Sequence, residues 1–148
     1  MEQKEIEQMT INAIKWIDAL FENKYKQGTG QLGNEEKGFC CLGVCLNVNG
    51  IYDFEHYYAT SDLLCPLVGL KSKYGVFKDY LSKDVYIKTS KGEIYSLVNM
   101  NDTGKFDFPE IAKHILLNID FLFIPEVAEK LTVHYDDKIK KFKKNGEN

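Results

Sequence analysis

Arginine is absent from these 148 residues; all 19 basic side chains are lysine. No guanidinium fork exists to grip a phosphate or carboxylate through two parallel bonds, so an anion site must use lysine ammonium groups or backbone N–H groups. An excess of positive charge is also missing. Twenty-two acidic residues leave a net charge of -3, which disfavours duplex nucleic acid and anionic membrane surfaces as partners. The apolar runs, such as Phe121 to Ile124, are too short to cross a bilayer, and the opening Met1-Glu2-Gln3-Lys4-Glu5 lacks the apolar stretch of a signal peptide. A cytoplasmic protein is the expectation. Paired C-x-x-C knuckles are lacking too, and three of the four cysteines (Cys40, Cys41, Cys45, Cys65) share one apolar segment, so a disulfide scaffold is not expected.

What is present, 44% hydrophobic and 28% charged residues, suits one globular domain spanning residues 1–148. Ile6, Met9, Ala13, Trp16, Ile17, Leu20 and Phe21 recur at helical spacing and predict an amphipathic helix from Glu5 to Phe21. A long glycine-rich polar loop follows over 22–38. Phe39 to Val48 is apolar on nearly every side and predicts a short buried helix. Ser61-Asp62 can cap a helix running to Leu70, and a further helix is expected over Tyr74 to Leu81. Alternation at Val85, Ile87 and Thr89, the Ser90-Lys91-Gly92 turn and a return strand to about Val98 predict a hairpin.

Asn101-Asp102-Thr103-Gly104 reads as a turn, and Asp107 with Pro109 opens a helix. Pro125 opens a last helix whose stripe reaches Phe142, with fraying expected after 143. The sum is an α+β domain of about five or six helices around a small antiparallel sheet.

Gly28-Thr29-Gly30-Gln31-Leu32-Gly33 fits the dinucleotide pattern G-x-G-x-x-G, but a helix precedes it and acidic Glu35-Glu36 follows where a phosphate-cradling helix should begin. Two readings stay open for this stretch: a plain surface loop, or a loop that closes over an anion with Lys24, Lys26 and backbone N–H groups.

Cys40 and Cys41 stand at a helix entry, where the helix dipole would lower a thiol pKa and make a nucleophile, with Gln27 or Gln31 as an oxyanion donor. Core packing is the commoner use of cysteine. Only His56, His114 and His134 could serve as a base. Cys41, Cys45, Cys65 and His56 have the donor types for zinc, but without knuckle spacing no metal is assigned, and no cofactor. Tyr52, Phe54, Tyr57 and Tyr58 can stack on a planar ring or pack in a core.

Trp16-Ile17-Asp18-Ala19-Leu20, Lys24-Tyr25-x-Gln27, Gly30-x-Leu32 and Phe39-Cys40-Cys41-Leu42-Gly43-Val44 resemble a family of small proteins encoded by tailed bacteriophages and prophages. Leu64-x-Pro66, Gly69-Leu70, Asn101-Asp102-x-Gly104 and Phe108-x-x-Ile111-Ala112-x-x-Ile115 continue the likeness in order, with Val68 where that family has tryptophan. The resemblance implies a phage origin. By analogy with other accessory phage proteins of this size, it implies action against host defence, including capture of nucleotide-derived signals.

Among the blocks that carry the resemblance, Lys24, Tyr25, Gln27, Asn101 and Asp102 are polar residues that packing does not need. Together with Cys40 and Cys41 they form the expected ligand-binding set, provided the glycine loop and the Asn-Asp segment meet around one pocket. A noncatalytic protein that sequesters a small anionic ligand is the leading expectation. A cysteine-dependent hydrolase or transferase and a direct protein inhibitor of a host factor are the alternatives. Homo-oligomerisation stays open.

Overall fold

The computed structural model describes residues 1–52 and 62–146. Its architecture is α+β, with eight helices and two separate two-stranded antiparallel ladders among these residues. The helices outnumber the five or six expected, and the strands make two small ladders instead of one sheet. No helix among the described residues is long and apolar enough to cross a membrane.

Helix α1 (Gln3–Glu22) carries the predicted stripe, and Ala13, Trp16, Ile17 and Leu20 are fully buried on it. It ends at Asn23, which takes the left-handed conformation (φ 56°) that asparagine tolerates better than most residues. Helices α2 (Cys41–Val48), α3 (Leu64–Val68), α5 (Phe108–Leu117) and α7 (Pro125–His134) pack around α1, so the core is assembled on it. Between α1 and α2 the glycine loop holds a minimal hairpin, β1 (Gly33–Asn34) with β2 (Gly38–Phe39). The dinucleotide fingerprint is thereby excluded, because no strand leads into Gly28 and no helix leaves from Gly33.

The second hairpin forms where predicted, β3 (Ile87–Thr89) against β4 (Gly92–Ile94), but it is shorter. The return strand stops because Ser96 caps a new helix, α4 (Leu97–Asp102), through its hydroxyl and the Asn99 N–H at 3.0 Å. Asn101 and Asp102 are therefore the last helical residues of α4, not a turn.

The helix expected over Tyr74–Leu81 does not form. The chain there is extended, with bridges Val76 to Ser96 and Lys78 to Asp84, and Tyr80 and Leu81 project into solvent. Gly75 at φ 64° turns the backbone out of a helical path. The expected helix from Ser61-Asp62 to Leu70 shrinks to α3, ended by left-handed Gly69; Ser61 itself lies outside the described residues.

The capping box at α5 is complete: the Asp107 carboxylate accepts from the Glu110 N–H (2.9 Å) and Glu110 accepts from the Asp107 N–H (3.1 Å). Beyond the short α6 (Ile119–Leu122), the final helix is broken at Tyr135 into α7 and α8 (Asp136–Lys144). At the break the Tyr135 hydroxyl donates to Asp18 on α1 (2.7 Å), and burial together with that carboxylate raises its pKa.

Candidate functional site

Helix α2 begins with a peptide N–H that has no partner inside its own helix, as all helices do. Cys40 is the cap residue; its sulfur accepts from the Gly43 N–H at 3.4 Å. The first helical N–H, that of Cys41, instead donates to the side-chain oxygen of Asn101 at 3.1 Å, sixty residues further along the chain. The same oxygen accepts from the Gln27 amide (3.0 Å), which also donates to the Phe106 carbonyl at 2.9 Å. The Asn101 amide nitrogen donates to the Gly28 carbonyl (2.8 Å) and to Asp102 (3.3 Å). Asp102 in turn accepts from the Gly30 N–H at 3.0 Å. One fully buried asparagine thus ties the glycine loop, the start of α2 and the end of α4 together.

The two distant segments do meet, but their polar groups bind one another. Both ends of the Asn101 side chain are occupied, so it acts as a latch within the protein. The loop is pressed close elsewhere as well. A Cβ on Gly43 would lie 2.1 Å from the Leu32 carbonyl oxygen, and the Cys40 N–H donates to that oxygen at 3.1 Å.

Of the expected ligand-binding set, Gln27, Cys40, Cys41, Asn101 and Asp102 share this neighbourhood. Lys24 and Tyr25 do not join it. Lys24 is exposed and pairs with Glu22 at 3.5 Å, while the Tyr25 hydroxyl donates to Asn47 (2.8 Å) and its ring meets Phe39 edge-on.

The expected lowering of the thiol pKa is reversed. Burial pushes Cys40 up to about 11 and Cys41 well above its ordinary value, and the Asp102 carboxylate pushes both further. The cavity that Cys40 faces, under the loop beside Leu32, Leu42, Val98 and Asp102, has a volume of only about 30 Å³, room for a water or so. Near pH 8 a thiol reagent should therefore leave Cys40, Cys41 and Cys45 unmodified until urea unfolds the chain, while the partly exposed Cys65 reacts first. Peptide mapping of alkylated protein checks this, and rapid selective labelling of Cys40 or Cys41 would restore the nucleophile.

Among the described residues no group of three His, Cys, Asp or Glu side chains is placed to hold a metal. His56, the imidazole of the zinc alternative, lies outside them, as do Phe54, Tyr57 and Tyr58. Tyr52 is described and exposed.

On the outer side of the latch lies an open cleft of about 390 Å³, walled by Gln27, Thr29, Gly104, Lys105, Asp107 and Glu110 over the buried Phe106. Its two carboxylates are already engaged: Asp107 caps α5, and Glu110 bonds the Lys91 ammonium, which holds its pKa below the usual range although burial opposes this. The Lys105 ammonium and the Thr29 hydroxyl, by contrast, have no partner among the described residues. Neither was singled out by the sequence, because nothing sets Lys105 apart from the other lysines until Gly104 and the α5 cap place it beside Gln27.

Fold and site together define an α+β protein with a latched glycine loop bordering a polar cleft. Residues 8–118 match the family described as a domain of unknown function, DUF8296, and the chain belongs to that family. The matched span contains the latch and every residue of the cleft. No curated protein and no solved structure matches the chain.

Proposed function

We propose that the protein is a noncatalytic binder that captures a small anionic ligand in the cleft beside the latch. One observation carries this reading: Glu110 is ion-paired with Lys91 and Asp107 is committed to the α5 cap, while the Lys105 ammonium and the Thr29 hydroxyl have no partner among the described residues. Gln27 spends its two amide hydrogens on Asn101 and Phe106, which orients its carbonyl oxygen and leaves it as an acceptor at the rim. An acceptor beside a cation suits a phosphate-bearing molecule with its own N–H or O–H donors, as in a nucleotide.

The phage resemblance supplies the setting. A phage accessory protein of this kind would hold a nucleotide-derived defence signal away from its host receptor. The cysteine-dependent alternative draws no support from thiols that are buried and held protonated.

Calorimetry with nucleotides, and mass spectrometry of what heat releases from protein purified out of cells, test the proposal. Lys105→Glu should weaken any nucleotide bound by about tenfold or more, the effect of losing one charge-assisted contact, without moving the melting temperature. A panel of mono- and dinucleotides that shows no heat and no released ligand would sink it.

A further inference from the structure

The cleft has a twin. A second hollow of about 410 Å³ adjoins it and is lined by Lys88, Thr89 and Ser90 of the β3–β4 hairpin and by Lys113 and His114 of α5. Phe106 and Glu110 wall both hollows. The divide is held by Lys91, whose ammonium bonds the Lys105 carbonyl (2.6 Å) and the Glu110 carboxylate and lies 5.1 Å from the Phe106 ring centre.

Each hollow is within the size range of a small-molecule site, roughly 300–1,000 Å³. Each also has its own exposed lysine, Lys105 in one and Lys88 in the other, with no ion pair within 4 Å among the described residues. The nearest acidic neighbour in the hairpin register is Glu93, opposite Lys88. Glu110, the carboxylate common to both hollows, is neutralised by Lys91. A ligand with a single anionic group would satisfy one lysine and leave the other hollow empty.

We infer that the ligand carries two separated anionic groups and spans both hollows, one group at Lys105 and the other at Lys88, a molecule of dinucleotide size. This rests on the proposed binding role and adds to it the ligand's length and charge layout. A longer single strand fits less well: the two rings in the walls, Phe106 and His114, are 3% and 4% exposed and offer no stacking platform, and the net charge of -3 gives no track for a backbone.

The test is calorimetry on the full chain with AMP, the linear dinucleotide pApA and an oligoadenylate of ten residues. The expected result is pApA binding at least tenfold tighter than AMP. Lys88→Glu should remove that advantage while leaving AMP affinity unchanged, and Lys105→Glu should weaken both. Equal affinities for AMP and pApA, an unaltered pApA affinity in Lys88→Glu, or tightest binding of the decamer would overturn the two-anion ligand while leaving capture in the first cleft standing. Failure of all three probes to bind would overturn the two-anion ligand, and with no nucleotide released by heat from protein purified out of cells it would overturn capture in the first cleft as well. Circular dichroism of each variant guards against misfolding, which an exposed hairpin lysine should not cause.

Discussion

Replacing Asn101 with alanine should lower the unfolding free energy by about 3 kcal/mol, since a buried group left without its partner costs about 1–3 kcal/mol and this change strands more than one. The Cys41 N–H at the start of α2 and the Gly28 carbonyl both lose their bonds inside the fold. Gln27 keeps the Phe106 carbonyl, so its loss is partial. Urea denaturation checks the magnitude, and proteolysis checks the location, because cuts should appear in the loop over 27–38 before the rest of the chain yields.

Gln27→Ala, at a half-buried position, should cost less. The double variant should fall short of the sum of the two single effects, since both side chains belong to one network. A shift under ~0.5 kcal/mol for Asn101→Ala, the size expected of an ordinary surface change, would mean that the network does not hold the loop.

Gly43→Ala sets two effects of opposite sign against each other. Gly43 lies within α2, where alanine is the better helix former by roughly 1 kcal/mol. The new Cβ, however, would stand 2.1 Å from the Leu32 carbonyl oxygen and 3.0 Å from its carbon, both backbone atoms with no side chain to swing aside. The loop must then lift from α2 and give up the bond from the Cys40 N–H to Leu32. Overpacking of this kind costs about 1–3 kcal/mol, so the net change should be a loss. A gain in melting temperature would show that the loop yields freely. Gly30→Ala is the useful contrast. Its φ of 81° makes alanine strained, yet nothing lies within 4 Å, so only the local backbone penalty of about 1–2 kcal/mol applies.

Elements whose cause is local were readable from the chain. The stripe of α1, the Asp107 and Pro109 start of α5, and the alternation around β3 all depend on neighbours within a few positions. The misreadings have a common physical source. Tyr74–Leu81 has apolar residues at helical spacing, but Tyr80 and Leu81 face solvent and only Phe77 enters the core at full depth. Asn101-Asp102 has turn composition, yet Ser96 begins a helix just upstream and carries the pair to its last turn. The break at Tyr135 falls where its hydroxyl meets Asp18, more than a hundred residues earlier.

At the site, Gln27 and the Cys41 N–H both bond the Asn101 side-chain oxygen. That their valences would be spent on one another was not readable, because it depends on bonds across sixty and seventy-four residues. Lys105 and Thr29 carry no local signal at all.

The cap that α2 borrows from Asn101 also bears on the order of assembly. Eight residues are too few for a helix to persist alone in water, where about 12–15 are needed even for favourable sequences. During synthesis the segment Cys41–Val48 can pack on α1 early, but its first N–H has no partner in Asn101 until the chain has grown past residue 101. The loop closures linking these distant stretches come late and carry an entropic cost. The entrance of α2 is thus finished by a residue made sixty positions later, and the glycine loop is fastened in the same step.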